Sequence, residues 1–200
     1  FPKNGADTPE IRFKGFSGKW EEKSLEEIVD RYDNLRIPIS ASNRIAGDTP
    51  YYGANGIQDY VQGFTHDGEF ILVAEDGAND LKNYPVQYVN GKIWVNNHAH
   101  VLECLDLTSI EYLTIFLNSI DLTPYITGGF QPKLSQRNLN HIPVYIPPFA
   151  EQHAIVSKVE SLFAQIDQLH ELASKKASII DNSAKALFGK INTTTDKQDL

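Results

Sequence analysis

The chain has 200 residues, 41% of them hydrophobic, one cysteine, no methionine and a formal charge of −8 at pH 7. This suffices for one globular core with an appended element, whereas no apolar run is long enough to cross a bilayer. The opening Phe1-Pro2-Lys3-Asn4-Gly5 lacks the apolar stretch of a secretion signal, so a soluble, cytoplasmic protein without a membrane partner is expected, and the start at Phe1 is compatible with a piece of a longer polypeptide.

The first twenty residues are polar and irregular and end in Phe13-Lys14-Gly15-Phe16-Ser17-Gly18-Lys19-Trp20, which predicts an arm laid on a domain. Ser24-Leu25-Glu26-Glu27-Ile28-Val29 combines a hydroxyl cap, a Glu three positions on and apolar residues at helical spacing, so a short helix is predicted there. From Ile37 to Val101, glycines punctuate short apolar runs such as Phe70-Ile71-Leu72-Val73 and Lys92-Ile93-Trp94-Val95, the pattern of a small irregular sheet. Cys104 stands in the apolar run 101–105 and reads as a buried hydrophobe. A helix capped by Ser109 follows, with Ile110, Leu113, Phe116 and Leu117 on one face. The run Val144-Tyr145-Ile146-Pro147-Pro148 then closes the domain, because a double proline ends a strand.

From Glu151 to Phe188 there is neither Gly nor Pro. Ile155, Val159, Leu162, Ile166, Leu169, Ala173 and Ile180 fall on alternating four- and three-residue steps, with Lys176 at one seam position. This predicts a helix roughly 57 Å long whose narrow apolar stripe packs on another helix. The expected division is 1–150 for a globular domain, 151–190 for the long helix and 191–200 for a flexible tail.

The charge is uneven. Residues 1–150 carry a net −7 and residues 151–200 a net −1, yet three windows hold no carboxylate at all. Asn34–Gly47 contains Arg36 and Arg44; Leu81–Leu102 contains Lys82, Lys92, His98 and His100; Leu122–Ala150 contains Lys133, Arg137 and His141. If they converge, they form a locally positive face on an acidic protein, suited to nucleic acid.

No phosphate-binding Gly-x-x-x-x-Gly-Lys and no dinucleotide Gly-x-Gly-x-x-Gly occurs, and Ile146 stands where an amino-methyltransferase would carry Asn or Asp before Pro147-Pro148-Phe149. Glu75, Asp76, His98 and His100 are the densest set of metal-ligating types. They admit a metal-dependent enzyme as a rival, though a His-x-His without a matched third ligand more simply satisfies buried backbone groups, and no metal site is assigned. The loops Tyr51-Tyr52-Gly53-Ala54-Asn55-Gly56 and Thr127-Gly128-Gly129-Phe130-Gln131-Pro132-Lys133-Leu134 combine glycines, where backbone can approach phosphate, with amides suited to adenine edges.

Five strings in order, Pro50–Ile57, Glu75-Asp76-Gly77-Ala78, Trp94–Leu102, Gln131-Pro132-Lys133-Leu134 and Ile142–Gln152, resemble the target-recognition domain of type I restriction-modification specificity subunits over most of residues 10 to 188. The resemblance implies an α+β fold: an irregular mixed α/β target-recognition domain followed by a long coiled-coil-forming α-helix. It implies recognition of half of a bipartite double-stranded DNA target, with the helix as spacer and docking site for methyltransferase subunits. A complete subunit of that family has two domains and two helices, so this chain reads either as a half-subunit that pairs with a second copy or as one half of a longer protein.

Lys133, Arg137 and Arg44 are the expected cations for DNA, Gln131 and Asn55 the expected base readers, and Gly53 the expected point of backbone approach. Ile155, Val159, Leu162, Ile166, Leu169 and Ile180 are the expected dimerisation seam. The resemblance implies no catalysis and no cofactor in this chain; S-adenosylmethionine and Mg-ATP belong to the partner methyltransferase and restriction subunits. A helix-mediated dimeric scaffold without DNA readout is the second rival.

Overall fold

The computed structural model describes residues 1–2 and 6–195, with side chains through residue 186. After an irregular arm come β1 (Glu21–Ser24), β2 (Val29–Arg31), β3 (Ala46–Gly53), β4 (Gly56–Val61), β5 (His66–Ala74), β6 (Val86–Val95) and β7 (Ala99–Cys104). Then follow α1 (Ile110–Ser119), α2 (Gln136–Asn140), β8 (Pro143–Ile146) and α3 (Phe149–Thr195). Six strands form one sheet in the order β2-β7-β5-β6-β3-β4, antiparallel except for β3 against β6. β1 and β8 pair separately.

The continuous apolar run of β5 is explained by burial on both faces of a central strand. Ile71 and Val73 join Leu113, Phe116 and Leu117 of α1 in one core, while Phe70 and Leu72 pack with Val89, Ile93 and Val101 in another. α1 begins where the spacing predicts, its Ser109 hydroxyl accepting from the Tyr112 N–H at 3.1 Å.

The short helix predicted from Ser24 is instead one 3-10 turn, Leu25–Glu27, between two strands. The local signal is present, for Glu27 accepts from the Ser24 N–H at 2.7 Å. It is overridden because Leu25 N–H donates to Ile142 and Val29–Arg31 pairs with β7, so sheet bonds on either side leave no length for an α-helix.

α3 starts at Phe149, two residues earlier than expected, since Pro148 needs no donor at a helix start and its carbonyl accepts from Glu151 and Gln152. Its 47 residues correspond to about 70 Å. The helix persists to Thr195, beyond the expected 190, and the rest of the expected tail lies outside the described residues. Phe1–Val156 form one compact unit, and a second begins at Ser157. Among the described residues no helix is long and apolar enough to cross a membrane.

His66 opens β5 in a buried position, with Nδ1 2.7 Å from Thr65 Oγ1 and Nε2 3.1 Å from the Tyr32 carbonyl. Burial holds its imidazole below the ordinary value, and the Tyr32 bond only partly offsets this. A lowered histidine leaves the unfolded chain binding the proton first, so stability should fall as pH drops below about 6.5. Denaturant melts between about pH 7 and 5 should show this slope in the wild type and not in His66→Gln.

Candidate nucleic-acid interface

The acid-free windows converge, but on carboxylates. Arg36 donates to Glu75 Oε2 and to the Ala99 carbonyl, both at 2.8 Å, and its Nη2 lies 3.5 Å from Asp33 Oδ2. Lys133 Nζ is 2.7 Å from Glu75 Oε1. The buried His100 has Nδ1 2.7 Å from Asp33 Oδ2 and Nε2 2.9 Å from the Leu134 carbonyl, while Asp33 Oδ1 accepts from Val101 N–H at 2.8 Å. Burial acts to raise both acids and is outweighed: the His100 bond, Val101 and Arg36 hold Asp33 below its ordinary value, and Lys133 and Arg36 do the same for Glu75.

The four residues of the metal reading therefore separate. His98 pairs with Asp76, both partly exposed, while His100 and Glu75 gather with Asp33, their ligand atoms within 4.8 Å of one another. Arg36 and Lys133 already neutralise that second group, and each His100 nitrogen faces an oxygen, so its geometry is that of an internal ion-pair lattice. Of the two histidines expected to serve buried backbone groups, only His100 is buried.

This lattice braces a loop. Thr127 and Lys133 exchange backbone hydrogen bonds at 2.9 and 2.8 Å, and Leu134 N–H donates to Glu75 at 2.8 Å. The intervening tip borders a cleft of about 570 Å³ lined in part by Asn55, Gln58, His98, Phe130, Gln131 and Lys133.

Three of the six expected DNA residues, Asn55, Gln131 and Lys133, thus share one cleft. Asn55 is occupied as a brace, donating to the Gly77 carbonyl at 2.8 Å and accepting from Asn79 N–H at 2.9 Å. Gly53 is buried, and a Cβ there would lie 2.2 Å from Gln58 Nε2, so its role is to leave room for that amide. Arg44 is held 4.2 Å over the Tyr51 ring and 3.3 Å from Asp59, away from the cleft lining. Arg137 is exposed on α2 and does not line the cleft. Two further residues of the lining, Gln58 and Phe130, are not among the six expected residues. Phe130 is the aromatic of the Thr127–Leu134 loop singled out above, whereas nothing in the sequence distinguishes Gln58.

Of the expected seam, Ile155 packs beside Trp20, Tyr112 and Val156 in the first unit, and Val159 is half-buried. Leu162, Ile166, Leu169 and Ile180 are exposed.

Residues 17–177 match the family described as type I restriction modification DNA specificity domain. A putative type I restriction enzyme specificity subunit of Haemophilus influenzae is 40% identical over 162 residues, 81% of this chain and 42% of that protein. The EcoprrI specificity subunit of Escherichia coli is 26% identical over 88% of this chain and 44% of its own length. The chain therefore spans less than half of these relatives. Among solved structures, the type I restriction-modification S subunit from M. genitalium superposes with a TM-score of 0.65 at 14% identity, covering 82% of this chain and 44% of that one, a likeness of fold.

Proposed function

The chain belongs to the type I restriction-modification DNA specificity family, and from that premise we propose that it reads one half of a bipartite duplex target. It supplies recognition and no catalysis, and it works in the cytoplasm. Methyl transfer from S-adenosylmethionine belongs to methyltransferase subunits docked on α3, and Mg-ATP-driven cleavage to restriction subunits. The second half-site is read by a second copy or a second recognition half, paired antiparallel through α3.

The observation that carries this reading is the seam of α3, where Leu162, Ile166, Leu169 and Ile180 repeat at coiled-coil spacing with their side chains in solvent. Lys133 and Arg137 contact the DNA backbone or bases, Lys133 keeping its Glu75 ion pair as it does so. Gln131 reads a base edge.

If α3 is the ruler between half-sites, inserting seven residues after Leu169 keeps the seam in register and lengthens the helix by about 10.5 Å. The preferred gap should then widen by about three base pairs at about 3.4 Å each, with some loss of affinity because one half-site turns by roughly 100° about the duplex. Four inserted residues should disturb the seam and weaken dimerisation more. Gap preference is measured by selecting bound duplexes with methyltransferase subunits present. An unchanged gap in an intact heptad variant would rule out the ruler.

A further inference from the structure

Among the described residues, none packs against Phe130. Its ring is 102% exposed, yet the loop that presents it is braced at its base by the Thr127–Lys133 backbone pair and the Lys133–Glu75 ion pair. Gly128 has φ +86°, and a Cβ there would lie 2.5 Å from the Gln131 carbonyl oxygen, so the tip is a turn only glycine permits. A large apolar ring held outward on a braced turn contributes little to folding and is placed to meet a ligand.

Its surroundings state the chemistry of that ligand. Gln131 and Gln58 line the same cleft with amides that have no hydrogen-bond partner among the described residues. The carboxylates nearest the loop already carry cationic or imidazole partners, Asp76 through Oδ1 with His98 and Glu75 with Arg36 and Lys133, whereas the two amides carry none among the described residues. In the major groove an amide bonds adenine at N6 and N7, and the thymine of the same pair presents its C5 methyl on the same edge. An amide bonds adenine at two sites at once but meets a guanine or cytosine edge with only one of its groups, and the methyl that an aromatic beside it would cover is absent from G·C.

We infer that the 128–132 tip reads an A·T pair in the major groove, Gln131 bonding the adenine and Phe130 covering the thymine methyl. The inference rests on the DNA-reading function proposed above and names the specificity determinant within it.

The test uses the full chain assembled with the methyltransferase subunits of its own system. Wild-type complex first selects its half-site from random duplexes, and Kd is then measured on that site with each thymine replaced in turn by uracil, which lacks the methyl. One such replacement should weaken the wild type about fourfold, the value of one buried methyl group. Phe130→Ala should bind more weakly and no longer distinguish thymine from uracil there, with an unchanged Tm because the ring is exposed. Gln131→Ala should lose the preference for adenine at the same pair.

A selected half-site without an A·T pair, or a Phe130→Ala complex that keeps the thymine-to-uracil ratio, overturns the inference while leaving DNA reading intact. So does a ratio of one in the wild type accompanied by a rise in 2-aminopurine fluorescence on binding, which is the signature of a ring wedged between base steps. If wild type enriches no sequence, the DNA-reading function itself falls and the inference with it.

Discussion

Glu151→Ala is expected to destabilise the first compact unit by about 2–3 kcal/mol, the loss of a buried carboxylate's bonds to a charged, part-buried partner. The Glu151 side chain is 1% exposed and is gripped on both oxygens. Arg12 Nε donates to Oε1 at 2.7 Å and Nη2 to Oε2 at 2.6 Å, a two-pronged contact, and Trp20 Nε1 adds a bond at 3.2 Å. The acid also sits in the first turn of α3, where the helix dipole favours negative charge. Alanine would leave Arg12 Nε and the Trp20 indole N–H without their acceptor beside the Trp20, Tyr112 and Val156 cluster, the guanidinium keeping only the Gly18 and Ser17 carbonyls.

The next residue works alongside it. Gln152 accepts from Ser109 N–H at 2.9 Å and Thr108 Oγ1 at 3.2 Å, and donates to the Pro147 carbonyl at 2.9 Å. Together the two side chains fasten the start of α3 to the arm and to α1. Glu151→Gln keeps shape and one acceptor and should lose less. Urea unfolding at pH 7 is the measurement, and an alanine variant within about 1 kcal/mol of wild type would show that this clasp is dispensable.

Asp33→Ala should cost about 3 kcal/mol, since the carboxylate serves Val101 N–H and the buried His100 ring at once. It should also flatten the acid limb of the stability profile. Asp33 and Glu75 both have lowered values in the folded state, so the unfolded chain takes up protons first as pH falls. Their contribution is fully present above the ordinary carboxylate range of about 4 and disappears as pH falls through the folded values. Wild type should therefore lose stability steeply below about pH 4, and Asp33→Ala less steeply. Asp33→Asn, which retains an acceptor for Val101, should fall between the two at pH 7. Parallel acid limbs in all three proteins would mean that the Asp33–His100 contact carries no linkage.

The elements that arise from local periodicity were legible from sequence: the glycine-punctuated strands, the helix capped by Ser109 and the three-four repeat along α3, but not β1, β2 or α2. Resemblance carried the family for the same reason, since its strings are contiguous. Several prove to be architectural, with Asn55 bracing a turn, His100 joining the ion lattice and Glu151 and Gln152 fastening α3.

What the tertiary structure alone decided is which side chains are spent and which are left over. Arg12 meets Glu151 across 139 positions, and Lys133 meets the Glu75 of a distant strand end, so windows empty of acids in sequence are not empty of acids in space. The same long-range pairing converted the capped segment at Ser24 into a turn between strands, because hydrogen bonds to Ile142 and β7 outweigh a local cap. Exposure is likewise a property of the whole fold. Phe130 and Phe116 are equivalent by hydropathy, yet one is fully in solvent and the other is buried between α1 and β5, because burial depends on neighbours brought from far along the chain and no local pattern encodes them.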